Sequence, residues 1–403
     1  MKSRRAFLAQ LALASEDALT SLDAGVLVCV FLRGGADTLN MFIPYGDDNY
    51  YKVRPSIAIA EPAKNRGTST QSLRLNDFYA LHPKLAPVYP LFADGQMAIV
   101  QAVGSDNESG SHFDAQDQME HGEGYGKPLN GGWLARYLRA RADKKVTPLS
   151  AIAIGATVPE SLRSAPSVTA LTSIDDVQMQ LPPRDAEAVS AALTSLYSQR
   201  MDLLGQAGKD TLEVLKRLEG LRRHDGKNKP SAGYPDTEFG KGLSQIARLT
   251  KADVGLQIAC INSDGWDTHF VQGSTSGIQA DRMDELARGL AAFDKDLGPC
   301  RGRVTTIVMT EFGRRIYENV SGGTDHGRGF AMMVIGKGIK GGRIYGQWPG
   351  LADQGDFLLG PSGLAITYDY RSVLAEICSR NVPFDRIAQV FPQFDPQTIG
   401  FTG

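Results

Sequence analysis

Apolar residues along this chain fall into short unbroken runs separated by amphipathic stretches. The runs are Val26–Leu32 (VLVCVFL), Met97–Val103 (MAIVQAV), Ala151–Ile154, Gly255–Ile261 and the stretch opening at Val304 and ending at Thr310. Runs of this length, rich in β-branched residues, suit strands buried on both faces. Met332–Ile335 adds a further strand. Between the runs the spacing changes to that of helices. One begins at His82-Pro83, with Leu85, Val88, Tyr89 and Phe92 on its apolar side and Gly95 as its stop. Others follow Ser111, open at Gly131-Gly132-Trp133, span Ile278–Leu297 and span Tyr370–Ile377. From Pro182 to Leu249 the chain reads as almost wholly helical, with Val189, Leu193, Leu196, Leu203, Leu212, Leu215 and Leu218 at helical spacing. Arg222–Pro235 is its polar loop. Strand alternating with helix predicts an α/β fold with a mostly parallel sheet and right-handed crossovers. The 182–250 block reads as a helical insertion in one domain spanning 26–403.

The polar residues that can do chemistry gather where the apolar runs end. Val26–Leu32 leads into Arg33-Gly34-Gly35-Ala36-Asp37. Met97–Val103 leads into Gly104–Phe113, a hydroxyl-rich loop that holds Ser109, Ser111 and His112 and enters a helix. Gly255–Ile261 leads into Asn262–His269, which carries Asp267 and His269. The strand ending at Thr310 is followed by Glu311-Phe312-Gly313-Arg314, then by Asp325-His326 in a glycine-rich turn. In open α/β sheets ligands bind beyond the carboxyl ends of the strands. Each motif alone has a plain structural reading: a turn or cap at Asp37, an N-cap at Ser111, a cap at Glu311, a turn at Asp325. Four at once are harder to explain by capping. Asp267 and His269 lie two residues apart and share a side of extended backbone. Carboxylate and imidazole together suit a divalent metal such as Zn, Mn or Ca. Two metals roughly 4 Å apart would activate a nucleophile and hold an oxyanion. Ser111, or Ser109, stands where a helix N-terminus favours an anion. His112 reads as a substrate contact, a ligand or a packed ring.

Composition narrows the options. The chain has 403 residues, 42% hydrophobic and 22% charged, with a net charge of -2. That balance argues against a nucleic-acid partner, whose binding surface is basic. No apolar run approaches the roughly 20 residues of a membrane span. The four cysteines lack metal-ligand spacing, and Cys29 and Cys260 read as small buried hydrophobes.

The first 25 residues carry an address. Ser3-Arg4-Arg5-Ala6-Phe7-Leu8 has the form of a twin-arginine export signal. The expectation is a periplasmic or secreted protein handled by the twin-arginine export machinery. The apolar stretch Leu8–Ala14 is short and is closed by Glu16 and Asp17. A non-functional signal would leave the chain in the cytoplasm.

FLRGGADTLN, SGSHFDAQD, DGWDTH, TEFGR and GGTDHGRG, in that order behind SRRAFL, resemble the domain of unknown function 1501 family within the alkaline phosphatase/sulfatase superfamily. The resemblance spans nearly the whole chain. It implies a three-layer α/β/α sandwich and a metal-assisted hydrolase of small phosphate, sulfate or related anionic esters. It places Asp37 and Glu311 near a second metal, and Asp267, His269 and His326 near a first, with Asp325 beside them. Ser111 takes the nucleophile's place, activated by metal or by His112, and Arg33 or Arg314 clamps the anion. Two positions depart from the superfamily pattern. Arg33 stands where an Asp usually follows the first strand, and Glu311-Phe312 stands where Asp-His usually ends the later one. The competing expectation is a non-catalytic partner protein that keeps the fold with a degenerate metal site.

Overall fold

The computed structural model describes residues 25–63, 71–128, 131–141, 146–179, 181–224, 233–351 and 363–403. The export-type segment lies outside the described residues.

The strands in chain order are β1 Val26–Leu32, β2 Phe42–Ile43, β3 Leu73–Arg74, β4 Ala80–Leu81, β5 Met97–Gly104, β6 Ala151–Ile154, β7 Thr169–Leu171, β8 Ile258–Ser263, β9 Val304–Thr310, β10 Phe330–Gly336, β11 Arg343–Tyr345 and β12 Tyr368–Asp369. Nine of them form one sheet in the order β11-β5-β10-β9-β1-β8-β6-β7, with β12 also pairing β5. β2, β4 and β3 form a separate small antiparallel sheet. The longer helices are α1 His112–His121, α2 Trp133–Ala140, α3 Pro183–Ser198, α4 Leu203–His224, α5 Glu238–Lys251, α6 Ile278–Leu297 and α7 Tyr370–Cys378.

β1 sits at the centre, parallel to β8 on one side and β9 on the other. All seven of its residues are buried, and they serve the two faces alternately, as strand geometry requires. Val26, Val28, Val30 and Leu32 pack with Leu243 and Ile246 of α5 and Met283, Leu286 and Leu290 of α6. Leu27, Cys29 and Phe31 pack with Trp133 and Tyr137 of α2 and Tyr370 and Val373 of α7. Helices on both faces of a mostly parallel sheet make this an α/β fold in three layers. α4 joins the first face through Val214, Leu218 and Leu221. α3 rests on α4 and buries none of its described side chains.

β10 is antiparallel to β9 and to β5. The chain passes from β9 to β10 through the loop 311–329, without a helix to carry it back across the sheet. A strand that follows its neighbour without a crossover must return in the opposite sense. β5 therefore runs the same way as β1, β8 and β9, and β10 starts at the edge where those four end.

The segment after His82 is a 3-10 helix, Pro83–Val88, followed by one short turn at Tyr89–Ala93. Pro87 and Pro90 lack the amide hydrogens that a continuous α-helix would use. All four cysteines are free. Among the described residues no helix is long and apolar enough to cross a membrane.

Candidate metal centre

The carboxyl ends of β5, β1, β8 and β9 meet at one edge of the sheet. Glu311, the residue after β9, is fully buried there. Its Oε1 accepts hydrogen bonds from the Gly34 backbone N–H at 2.8 Å, His112 Nδ1 at 2.8 Å and Gln116 Nε2 at 2.9 Å. Its Oε2 lies 3.0 Å from Thr310 Oγ1. Burial alone would raise the pKa of this carboxyl. The bonds from His112, Gln116 and Gly34 outweigh burial and hold it below the usual value. Gly34 is needed at its turn. It has φ +117°, and a Cβ there would lie 2.5 Å from the Asp267 backbone nitrogen.

Three imidazoles converge beside this carboxylate, and each is anchored through Nδ1. His112 Nδ1 faces Glu311. His269 Nδ1 faces Asp325 Oδ1 at 2.8 Å, and Asn319 Nδ2 donates to the same oxygen at 3.1 Å. His326 Nδ1 faces the Gly110 carbonyl at 2.8 Å. Each anchor is an acceptor, so each Nδ1 carries a proton, and a ring in its neutral form turns an Nε2 lone pair inward. The Nε2 atoms of His269 and His326 are 2.9 Å apart. Asp267 Oδ1 lies 3.0 Å from His269 Nε2, 3.4 Å from His326 Nε2 and 3.5 Å from His112 Nε2. His112 Nε2 is buried without a hydrogen-bond partner.

With the rings neutral, these nitrogens and Asp267 Oδ1 make an acceptor cluster suited to a divalent cation. Tetrahedral zinc with nitrogen ligands near 2.0–2.1 Å would set neighbouring ligand atoms about 3.3 Å apart, and the contacts of Asp267 Oδ1 to the three rings bracket that separation. Ligating histidines almost always give their other N–H to a carboxylate or a carbonyl, and all three do so. The ligand atoms of His112, Asp267 and His326 lie within 4.8 Å of one another. His269 lies beside that set, within reach of Asp267 and His326. His112, Asp267 and His326 therefore make a group that could hold one divalent ion. The surroundings act differently on His112 and His326. The bond to Glu311 outweighs burial and raises the His112 pKa, while burial lowers that of His326. Burial opposes ionisation of Asp267 and Asp325, but hydrogen bonds from Arg314 and His269 respectively hold both carboxyls low.

The other sequence-derived candidates stand as follows. Asp37 is buried, and its Oδ1 has no hydrogen-bond partner among the described residues. Its Oδ2 pairs with Arg54 Nη1 at 2.5 Å and accepts from Gln272 Nε2 at 2.7 Å. Arg33 lies over the Phe31 ring and donates to Glu120 at 2.7 Å, Gln116 at 3.2 Å and Asn262 at 3.1 Å. Arg314 is buried, and its guanidinium donates to the carbonyls of Gly34, Gly35, Trp266 and Thr324 and to Asp267 Oδ1. It thus ties three loops together. Ser111 is the N-cap of α1, accepting from the Asp114 N–H at a long 3.4 Å. It sits between Gly110 and His112, both of which touch the cluster. Ser109 accepts from the Ser111 N–H at 3.1 Å.

Sequence reasoning missed the groups that orient the imidazoles. Gln116 follows His112 by four residues, a spacing that puts both on one face of α1. Asn319 and the Gly110 carbonyl have no comparable signature.

Distant structural likenesses exist. Alkaline phosphatase from the Antarctic bacterium TAB5 is 11% identical, with 92% of this chain and 99% of that one covered at a TM-score of 0.32. The phosphonate monoester hydrolase of Agrobacterium radiobacter is 11% identical, with 89% and 73% covered at 0.35. A 2-O GAG sulfatase is 8% identical, with 80% and 66% covered at 0.32. No curated protein matches the sequence. The family described as protein of unknown function DUF1501 matches residues 24–356, and the chain belongs to that family.

Proposed function

We propose that the chain is an exported metal-dependent hydrolase of phosphate, sulfate or related anionic esters, with one metal held by His112, His326 and Asp267 and with His269 beside them. The observation that carries this reading is the set of three Nδ1-anchored imidazoles whose Nε2 atoms converge on one carboxylate oxygen. A divalent ion bound there supplies Lewis acidity toward an ester oxygen. Glu311, Asp325 and the Gly110 carbonyl fix the rings, and Gln116 steadies Glu311. Ser111 is the nucleophile in this reading. Its Oγ bonds to phosphorus or sulfur, the ester P–O or S–O bond breaks, and the hydroxyl proton leaves with the alcohol. Water then releases the acid and restores the hydroxyl. The N-terminus of α1 lends positive potential to the bound anion.

This reading uses one metal, because Arg54 already neutralises Asp37 and Glu311 is spent on hydrogen bonds. The buried Arg314 guanidinium donates from all three nitrogens to protein acceptors, and each nitrogen of Arg33 already donates to a neighbouring side chain. Those occupied arginines favour a second reading, a metal-holding partner protein without turnover.

The experiment is metal content by mass spectrometry on purified protein, with assays on nitrophenyl phosphate, bis-nitrophenyl phosphate and nitrophenyl sulfate. About one metal per chain and turnover of at least one ester support the hydrolase. Metal without turnover of any ester supports the second reading. Protein that takes up neither Zn nor Mn sinks both.

A further inference from the structure

Among the described residues only two phenylalanines stand in solvent, Phe113 at 83% exposure and Phe270 at 69%. Each directly follows a histidine of the metal cluster, His112 and His269. Two valines stand out beside them, Val271 at 73% exposure and Val320 fully exposed. The loops carrying Phe270, Val271 and Val320 are laced together. The Val271 N–H donates to the Ser321 carbonyl at 3.0 Å, the Gln272 N–H to Gly322 at 2.9 Å and the Thr324 N–H to Thr268 at 3.1 Å. That lacing holds the valine-bearing backbone against His269.

Val271 also has φ +43°. The left-handed region is a true outlier for a β-branched residue. Strain of this kind persists where surrounding structure enforces it, and it clusters at ligand sites. Phe113 and Phe270 each follow a histidine whose Nε2 faces Asp267 Oδ1, so both exposed rings start beside the same carboxylate oxygen. Apolar surface gathered around a polar centre marks a binding mouth.

We propose that this mouth seats the apolar part of the substrate. The ligand class is an anionic ester of an alkyl or aryl alcohol, with its charged head at the histidine cluster and its chain between Phe113 and Phe270. The inference rests on the hydrolase reading for the position of the head.

The test measures binding of methyl, butyl and octyl phosphate to the full, zinc-loaded chain by calorimetry, below micelle-forming concentrations. Affinity is expected to rise by up to about fourfold for each methylene that reaches the rim. The double variant F113S/F270S should flatten that rise while zinc content and the unfolding midpoint stay unchanged. Equal affinity for methyl and octyl phosphate, an unchanged chain-length slope in the double variant, or no binding of any member overturns the proposal. Hydrolysis of methyl, butyl and octyl nitrophenyl phosphates, run in parallel, separates the two ideas. Chain-length-dependent binding without turnover overturns the hydrolase and leaves the apolar mouth standing. Turnover with kcat/KM indifferent to the length of the alkyl group does the reverse.

Discussion

His112 Nδ1 lies 2.8 Å from Glu311 Oε1, a contact between residues 199 apart in the chain. It joins the first turn of α1 to the end of β9, so the two elements set the ring together. The carboxylate fixes which ring nitrogen carries the proton and leaves Nε2 as a lone pair. Glu311→Gln keeps the volume and loses the charge. Its amide cannot accept from Gly34, His112 and Gln116 as a carboxylate does. Zinc affinity should fall roughly 10- to 100-fold, and stability by about 1–3 kcal/mol. Competitive chelator titration and urea unfolding read the two effects separately. Undiminished zinc affinity would mean that Glu311 does not orient His112.

Asp37 and Arg54 make a different kind of contact. Both are buried, and Arg54 also donates to Asn40 Oδ1 at 2.9 Å and to the carbonyls of Arg315 and Ile316. Arg54→Met would strand the Asp37 carboxylate without its cation. Breaking a buried pair from one side costs about 3–5 kcal/mol. The folded fraction should still bind about one zinc. An Asp37→Asn protein that stays stable but loses metal would put Asp37 among the ligands and overturn this assignment.

Arg314 is expected to resist even a conservative change. Its fork reaches Gly35 through Nε, Thr324 through Nη1, and Gly34, Trp266 and Asp267 through Nη2. A lysine ammonium is a compact charge and cannot span these acceptors. Arg314→Lys should therefore cost about 2 kcal/mol or more, since bonds from charged donors contribute roughly 1.5–3 kcal/mol each. Unfolding by urea checks this, and a change under about 0.5 kcal/mol, the range of an ordinary surface substitution, counts against the bracing role.

The layers were legible because buried strands write themselves as unbroken apolar runs. β1, β5, β8 and β9 all do so, and their shared direction brings their polar ends to one edge. Asp267, His269 and His326 stand out in sequence because glycine-rich turns present them beyond those ends. His112 was ambiguous, since a histidine at a helix start serves equally well as a ligand or a packed ring. The arginines were not legible. Arg33 meets Glu120 at a separation of 87 residues, Arg54 meets Asp37 at 17, and Arg314 meets backbone carbonyls that no side-chain pattern reveals. The sense of β10 also escaped, because a seven-residue apolar strand reads the same in either direction.

His82 offers a pH test away from the metal centre. It is fully buried at the start of the 3-10 helix. Its Nδ1 accepts from the Lys84 N–H at 3.1 Å, and its Nε2 lies 3.0 Å from the Ser274 carbonyl. Both partners are satisfied only by a neutral ring with its proton on Nε2. Burial, aided by Lys84 and opposed by the Ser274 carbonyl and Asp37, lowers the pKa from 6.5 to about 4. The sign follows directly. Between pH 6.5 and 4 the unfolded chain takes up a proton that the folded chain refuses. Stability is unaffected above pH 6.5 and falls as the pH drops toward 4, by an amount on the order of 3 kcal/mol. Carboxylates and other histidines titrate in the same range, so the measurement is a difference. Urea unfolding of wild type and His82→Gln is followed from pH 7.5 to 4. The variant starts less stable but should lose less between pH 6.5 and 4, and the two curves should converge. Parallel curves across that window would show that His82 is not held neutral.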